Sequence, residues 1–141
     1  MEQKIKLPHF LALFILAFLA FYWLGLFRGW PMSIWWFDDV LHFLGGFWIA
    51  GLFVYLVNRS GLTIINDKFW LKLLLGLGFV ALVGVLWEFH EFIADWFAQK
   101  PIMQNEGPAD TITDLFLDLL GGFFFITICH LFQKVSSLVR R

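Results

Sequence analysis

The sequence predicts an all-α integral membrane protein with four transmembrane helices in a single transmembrane domain, residues 1–141. Hydrophobic residues make up 60% of the 141 residues and charged residues only 15%, a composition too apolar for an ordinary soluble domain. Four apolar segments are long enough to cross about 30 Å of hydrocarbon, which takes roughly 20 helical residues. We place these spans at residues 9–27, 40–57, 69–97 and 111–132.

The first span follows Lys4 and Lys6, as the apolar part of a signal peptide would. No small-residue cleavage site comes after it, so we expect a retained helix. Pro31 stops this helix from continuing, and residues 29–37 are predicted to form a short helix or a loop at the membrane interface. The longest polar connection, residues 99–110, is either a lid or a simple connector.

The second and fourth spans begin with polar residues that are typical of helix N-termini. Asp38 or Asp39 is expected to cap the second helix, and Asp110 and Thr111 the fourth. Thr111 and Asp114 have the spacing of a capping box. Capping does not account for acidic residues deeper in the apolar segments, where each carboxylate costs about 2.5–3.5 kcal/mol. A separate function is therefore predicted for these deeper residues.

Basic residues divide unequally between the two membrane sides. With the N-terminus in the cytoplasm, eight Lys and Arg residues lie inside and two lie outside, which predicts cytoplasmic termini. Two acidic residues lie inside and nine outside, so the formal charge is +6 inside and −7 outside. The nine outer acidic residues are Asp38, Asp39, Glu88, Glu91, Asp95, Glu106, Asp110, Asp114 and Asp118. Acidic residues have little influence on topology, so their concentration outside requires its own cause.

The second and fourth spans share a pattern. The residues Asp38, His42, Gly45, Gly46 and Phe47 recur, with every spacing equal, as Asp114, Asp118, Gly121, Gly122 and Phe123. The recurrence predicts two parallel-repeat helical hairpins; coincidence is the alternative in a chain so rich in Gly and Phe. Each glycine pair removes side chains from one helix face, which lets a neighbouring helix come close. The same pairs are an alternative surface for association between chains.

The deeper polar residues are of the types whose side chains bind metal ions in proteins. In the third span Gly84, Glu88, Glu91 and Asp95 follow the spacing of one helix face, and His90 points elsewhere. One imidazole with several carboxylates suits Mg, Mn, Fe or Zn. We predict Glu88 and Glu91 as catalytic bases, and as metal ligands Asp39, His42, Glu88, Asp114 and Asp118. The alternative is that shared protons and hydrogen bonds between these groups only hold the helices together.

Three motifs carry a family resemblance: the run from Asp38 to Gly46, the pair Trp87-Glu88 with Glu91 after it, and the segment from Asp110 to Gly122. They resemble bacterial inner-membrane proteins of the YjdF-like group and, more distantly, VanZ-like proteins. The resemblance covers about the last 100 residues and implies a location in the bacterial inner membrane. It marks as signature positions Asp39, His42, Glu88, Asp110, Asp114 and Asp118.

Three functions are consistent with these features, and whether the protein is an enzyme stays open. The first is an outward-facing metal site that acts on a lipid-linked or phosphate-containing substrate. The second is a cation- or proton-binding transport protein, which the apolar inner halves of the spans disfavour. The third is a non-catalytic membrane scaffold. Membrane lipids and a homo-oligomer are the expected partners, and the net charge of −1 predicts no nucleic acid.

Overall fold

The computed structural model describes residues 7–30, 33–99 and 107–139, and within these ranges its regular elements are all α-helices. The helices are α1 (Leu7–Arg28), α2 (Phe37–Ser60), α3 (Thr63–Asp67), α4 (Phe69–Ala98) and α5 (Pro108–Val139). Four of them, all except α3, are long and apolar enough to cross a membrane. The predicted fold class is therefore confirmed.

The second span begins earlier than its hydropathy predicts. Helix α2 begins at Phe37 rather than at residue 40, and Trp36 occupies the N-cap position without a side-chain hydrogen bond. The capping role predicted for Asp38 or Asp39 is therefore wrong. Both residues lie in the first turn instead, where a carboxylate complements the helix dipole and its oxygens can serve another purpose.

The fourth span also begins earlier, at Pro108. Proline is well suited to a first helical position because its missing N–H has no helical partner there. The Thr111 N–H already donates to the carbonyl oxygen of Gly107 at 3.2 Å. Thr111 thus lies within the helix, and the predicted capping box is wrong. Asp110 also lies after the helix start, in the first turn of α5.

Two connections can be described only in part. Residues 29–37 contain turns, and Gly29 has a φ of 69° that favours glycine; Pro31 and Met32 lie outside the described residues. The predicted lid or connector falls largely on residues 100–106, which also lie outside them. The short helix α3 was not predicted from the sequence, and it follows the left-handed C-cap residue Gly61.

Helices α2, α4 and α5 form the core of the molecule. Their buried apolar contacts lie on the half away from the acidic residues, and they involve Ala50, Val54, Leu73, Val80, Phe125 and Ile126. Helix α5 runs antiparallel to α4, because Gly76 faces Ile126 while Gly84 faces Asp118. It runs parallel to α2, because Gly46 faces Asp118 while Gly51 faces Phe125. The three helices therefore bring their acidic residues to the same end of the bundle.

The crossing of α2 and α5 is close enough to require glycine. A Cβ atom on Gly46 would overlap the backbone of Asp118, and one on Gly121 would overlap the carbonyl oxygen of Phe43. Gly122 packs against the side chain of Val80. These glycines are used inside the chain, so the alternative in which the pairs join separate chains does not hold for them. The crossing fixes the distance between the two helices beside the acidic cluster.

Helix α1 is attached to one side of this core. Among the described helices its backbone packs closely against α2 alone. Phe37 of α2 fills the space left by Gly25, and the indole N–H of Trp48 donates to the carbonyl oxygen of Leu11 at 2.8 Å. The helix directions agree with two hairpins, but α4 packs against both α2 and α5, so the two hairpins are not equivalent.

Candidate functional site

The polar end of the bundle is centred on His42. This residue lies five positions into α2, about 8 Å from the helix start at 1.5 Å per residue. Its side chain is only 4% exposed and its neighbours are carboxylates. Glu88 of α4 and Asp118 of α5 each lie ten positions from a helix end, about 15 Å. All of them lie within helices apolar enough to span a membrane.

One ring nitrogen of His42 faces three carboxylates. Its Nε2 atom lies 4.0 Å from Asp38 Oδ2, 3.9 Å from Glu88 Oε1 and 4.0 Å from Asp114 Oδ1. Each carboxylate comes from a different helix. Nitrogen and oxygen ligands lie about 2.0–2.2 Å from zinc, so two ligands of one ion are separated by up to about twice that length. The observed separations therefore leave space for an ion between the four groups.

The other ring nitrogen faces Asp118. The Nδ1 atom of His42 lies 3.5 Å from Asp118 Oδ1, on the opposite edge of the imidazole from the three carboxylates. Metal-binding histidines usually donate their second N–H to a carboxylate or carbonyl, which fixes the ring orientation. The sequence predicted Asp118 as a metal ligand; its carboxylate lies beside Nδ1, and it belongs to none of the groups of possible ligands described below.

Burial makes this cluster costly without a compensating charge. Asp114 is 1% exposed, and its Oδ2 atom has no hydrogen-bond partner among the described residues. The imidazole of His42 carries at most one positive charge, yet four carboxylates surround it. Buried carboxylates in proteins are paired or bind metals because their desolvation is unfavourable. A divalent cation would neutralise more of this charge than the imidazole can.

The possible ligands form a continuous set. Three groups of three residues could each hold an ion, because the ligand atoms within a group all lie within 4.8 Å of one another. The groups overlap, and they are Asp38 with His42 and Glu91, His42 with Glu88 and Asp114, and Asp38 with Asp110 and Asp114. The shared members join the three groups into one candidate site. Exposed acidic groups often cluster without a metal, but most members of this set are buried or half-buried.

Two neighbours on α4 hold the carboxylates in position. The indole N–H of Trp87 donates to Glu91 Oε1 at 2.8 Å, which orients a side chain that is otherwise flexible. Gly84 provides the space for Asp118, because a Cβ atom there would lie 2.5 Å from Asp118 Oδ2. Gly84 and Glu88 are both buried on α4 and both lie beside site residues of other helices, so they share one face of α4, as the spacing in the sequence predicted.

The structure brings together most, but not all, of the predicted site residues. His42, Glu88, Glu91, Asp114 and Asp118 meet, whereas Asp39 is half-buried and belongs to none of the three groups. Its place is taken by Asp38, which precedes His42 by one helical turn.

The sequence prediction was incomplete for Asp110, whereas it agrees with the structure for His90. Asp110 was predicted as a helix cap and not as a ligand, but it belongs to the group with Asp38 and Asp114. Its spacing of four residues from Asp114 was the available signal. His90 is exposed beside Trp87, with ring centroids 5.2 Å apart, and points away from the site as predicted.

An apolar cavity adjoins the site on the side of α1. Its volume is about 280 Å³, and α1, α2 and α4 supply most of its lining. Asp38, His42 and Glu91 form part of its polar end, while Ile15, Ile49 and Val80 lie toward the other. The cavity occupies the gap between α1 and α4, whose backbones do not pack closely together.

Comparison with known proteins agrees with the membrane fold. A family model described as "Predicted membrane protein (DUF2238)" matches residues 1–135. A Thermotoga maritima protein named "Uncharacterized protein" is 30% identical over 115 residues, which cover 76% of this chain and 54% of that relative. The chain thus spans about half the length of this curated relative. No solved structure matches the chain. The resemblance to YjdF-like and VanZ-like proteins stays a prediction.

Proposed function

The chain belongs to the DUF2238 family of predicted membrane proteins, and in that membrane setting we propose that the His42 cluster is a divalent-metal site of a hydrolytic enzyme. Its substrate is a phosphate ester carried by a lipid, and the site opens toward the outer face. The observation that carries the proposal is the convergence of Asp38, Glu88 and Asp114 within 3.9–4.0 Å of His42 Nε2. One imidazole with carboxylates suits Mg, Mn, Fe or Zn.

The residues divide the work of hydrolysis. Asp38, His42, Glu88 and Asp114 would hold the ion, and Asp118 would orient the imidazole. A bound divalent ion would polarise a phosphoryl oxygen and lower the pKa of water so that it is a good nucleophile near neutral pH. Glu91, fixed by Trp87 and lining the cavity, accepts the proton of the attacking water. The water oxygen bonds to phosphorus, the bond from phosphorus to the leaving oxygen breaks, and Glu91 returns the proton to that oxygen.

The apolar interior opposes the transport alternative. Ion or proton conduction requires polar groups on both sides of the site. In the described part of the bundle, the core between the site and the opposite end is made of Ala50, Val54, Val80, Phe125 and similar residues. The exceptions are Thr127 and Lys72, and the buried Lys72 lies three residues into α4, near the end of the bundle away from the site. Proteoliposomes containing the protein are therefore expected to show no cation or proton flux above empty vesicles.

Metal content is the primary test. Protein purified in mild detergent and freed of loosely bound ions is expected to retain one or two divalent ions per chain in elemental analysis. Asp38→Asn removes the charge of a proposed ligand and should lower this content at least tenfold at limiting metal. The adjacent Asp39→Asn makes the same chemical change outside the three groups and should leave it unchanged. Wild-type protein without a stoichiometric ion would refute the proposal.

Catalysis is tested separately through Glu91. Dodecyl phosphate is the probe, and release of inorganic phosphate is the readout. Glu91→Gln keeps the size of the side chain but not its basicity, and loss of a general base typically lowers the rate about 10²–10⁴-fold. The variant should retain bound metal through His42, Glu88 and Asp114. If wild-type protein binds metal but releases no phosphate from the probe, the metal site stands and the proposed reaction does not.

A further inference from the structure

The cavity between α1 and α4 has two chemically different ends. Near the start of α2 it is bordered by Asp38, His42 and Glu91, and away from it by aliphatic and aromatic side chains. Tyr22 is the polar residue that α1 contributes to this lining. A ligand that fills the cavity must therefore be amphiphilic, with its polar end at the acidic site.

The cavity also has the length of one membrane leaflet. Its lining on α4 extends from Glu91 to Val80, eleven residues, or about 16 Å of helix. Half of a hydrocarbon core about 30 Å thick is about 15 Å. On α1 the lining residues Ile15 and Leu26 are also eleven residues apart. The length of the cavity along the helices thus matches the depth of hydrocarbon that a lipid chain occupies in one leaflet.

The gap between α1 and α4 provides access from the side. Within the described part of the chain, α1 packs closely only against α2, and α4 packs against α2, α3 and α5. Leu19 and Trp87 line the cavity and are 42% and 44% exposed on the surface of the bundle. A hydrocarbon chain can enter from the surrounding lipid without leaving an apolar environment.

We propose that this cavity binds the hydrocarbon chain of a single-chain lipid phosphate, which enters laterally between α1 and α4 and places its phosphate at the His42 cluster. The proposal rests on the proposed function and names its substrate class. Selectivity then comes from both ends of the cavity, which we call the lipid slot. At its polar end the ion and its ligands recognise the phosphate, and along its apolar part it accepts a chain of about one leaflet in length. Inorganic phosphate shares the head but not the tail, so it is expected to bind much more weakly.

The test uses a dodecylphosphonate that carries a photoactivatable diazirine at the end of its chain and resists hydrolysis. After illumination, mass spectrometry should locate adducts on the lining residues of α1 and α4 near Ile15 and Val80. Unlabelled dodecylphosphonate should compete for labelling, and inorganic phosphate and hexylphosphonate should compete at least tenfold less well. Equal competition by inorganic phosphate would show that the head alone is recognised and would overturn the proposal.

Matched variants test whether the cavity itself holds the chain. Val83 lines the cavity and its neighbour Leu82 does not, so Val83→Trp fills the slot while Leu82→Trp adds the same side chain facing away. Labelling should fall at least tenfold in the first variant and stay at the wild-type level in the second. Leu19→Trp and Leu16→Trp form a second pair, placed on α1 outside the core, in case the first disturbs folding.

Bound metal is measured in the same samples, which separates the two proposals. Wild-type protein without metal would refute the metal site whatever the labelling shows. Metal content unchanged in Val83→Trp, together with lost labelling, supports the lipid slot. Labelling equal in the cavity-filling variants and their controls would overturn the slot and leave the metal site standing. A dimer that Val83→Trp dissociates would assign the cavity to a second copy of the chain and overturn the slot as well.

Discussion

Replacing Gly46 by leucine is expected to separate α2 from α5 and to destroy the site between them. A Cβ atom at this position would overlap the backbone of Asp118, so no side-chain rotation can make room. Overpacking that side chains can absorb costs about 1–3 kcal/mol, and here the cost should be about 3 kcal/mol or more. In a domain of this size the melting temperature should fall by roughly 10 °C, measured by circular dichroism in detergent, with loss of bound metal.

Gly78 provides the matched control for this substitution. It is exposed on α4, and a Cβ atom added there would meet nothing within 4 Å. Leucine also favours helix over glycine by several tenths of a kcal/mol, so Gly78→Leu should melt at the wild-type temperature or slightly above it. A Gly46→Leu protein that melts with wild type and keeps its metal would contradict the close crossing.

Removing the imidazole should have the largest effect on metal binding. His42 is the single imidazole in these groups, and its Nε2 atom faces one carboxylate from its own helix α2, one from α4 and one from α5 at 3.9–4.0 Å. His42→Ala is therefore expected to weaken metal affinity by more than about 100-fold, beyond the usual effect of a residue that only supports a ligand. Titration with a competing chelator measures the affinity, and circular dichroism verifies the fold.

Asp118→Asn distinguishes a ligand from a residue that orients one. Because Asp118 faces Nδ1 rather than Nε2, its replacement should weaken metal binding about 10–100-fold without abolishing it. If Asp118→Asn instead loses metal as completely as His42→Ala, Asp118 binds the ion directly, as its position in the sequence first indicated. Retention of full affinity by His42→Ala would show that carboxylates alone hold the ion.

The helices were largely predictable because membrane spans are determined by length and hydropathy. Errors arose where polar residues continue a helix: α2 extends to Phe37 and α5 to Pro108, three residues before each predicted start. Hydropathy excludes such residues although their backbone is helical. The packing of α1 against α2 was predicted as one of the two hairpins, but its separation from α4 was not, since an apolar helix has no face that identifies further partners. For the same reason the cavity beside it had no signal in the sequence.

The site was predictable as a set of residue types but not as a geometry. Charges inside apolar segments indicated Glu88, Asp114 and Asp118, because their cost in lipid requires a compensating group. The choice between Asp38 and Asp39 depends on the rotation of α2, and neighbouring residues differ by about 100° around a helix. Whether Asp118 meets Nε2 or Nδ1 depends on the close crossing at Gly46, which sequence spacing alone does not specify.

The division of the site among helices far apart in the sequence affects how the protein is assembled during synthesis. The ribosome releases the second span, with Asp38 and His42, well before the fourth, with Asp110, Asp114 and Asp118. Until the last span arrives, the earlier charges have no complete set of neighbours in the bilayer, where unmatched charges are costly. Docking of the last helix through its close-fitting glycines thus completes the site and surrounds the earlier charges in a single step. A nascent chain halted before α5 keeps those charges unmatched and is a target for quality control.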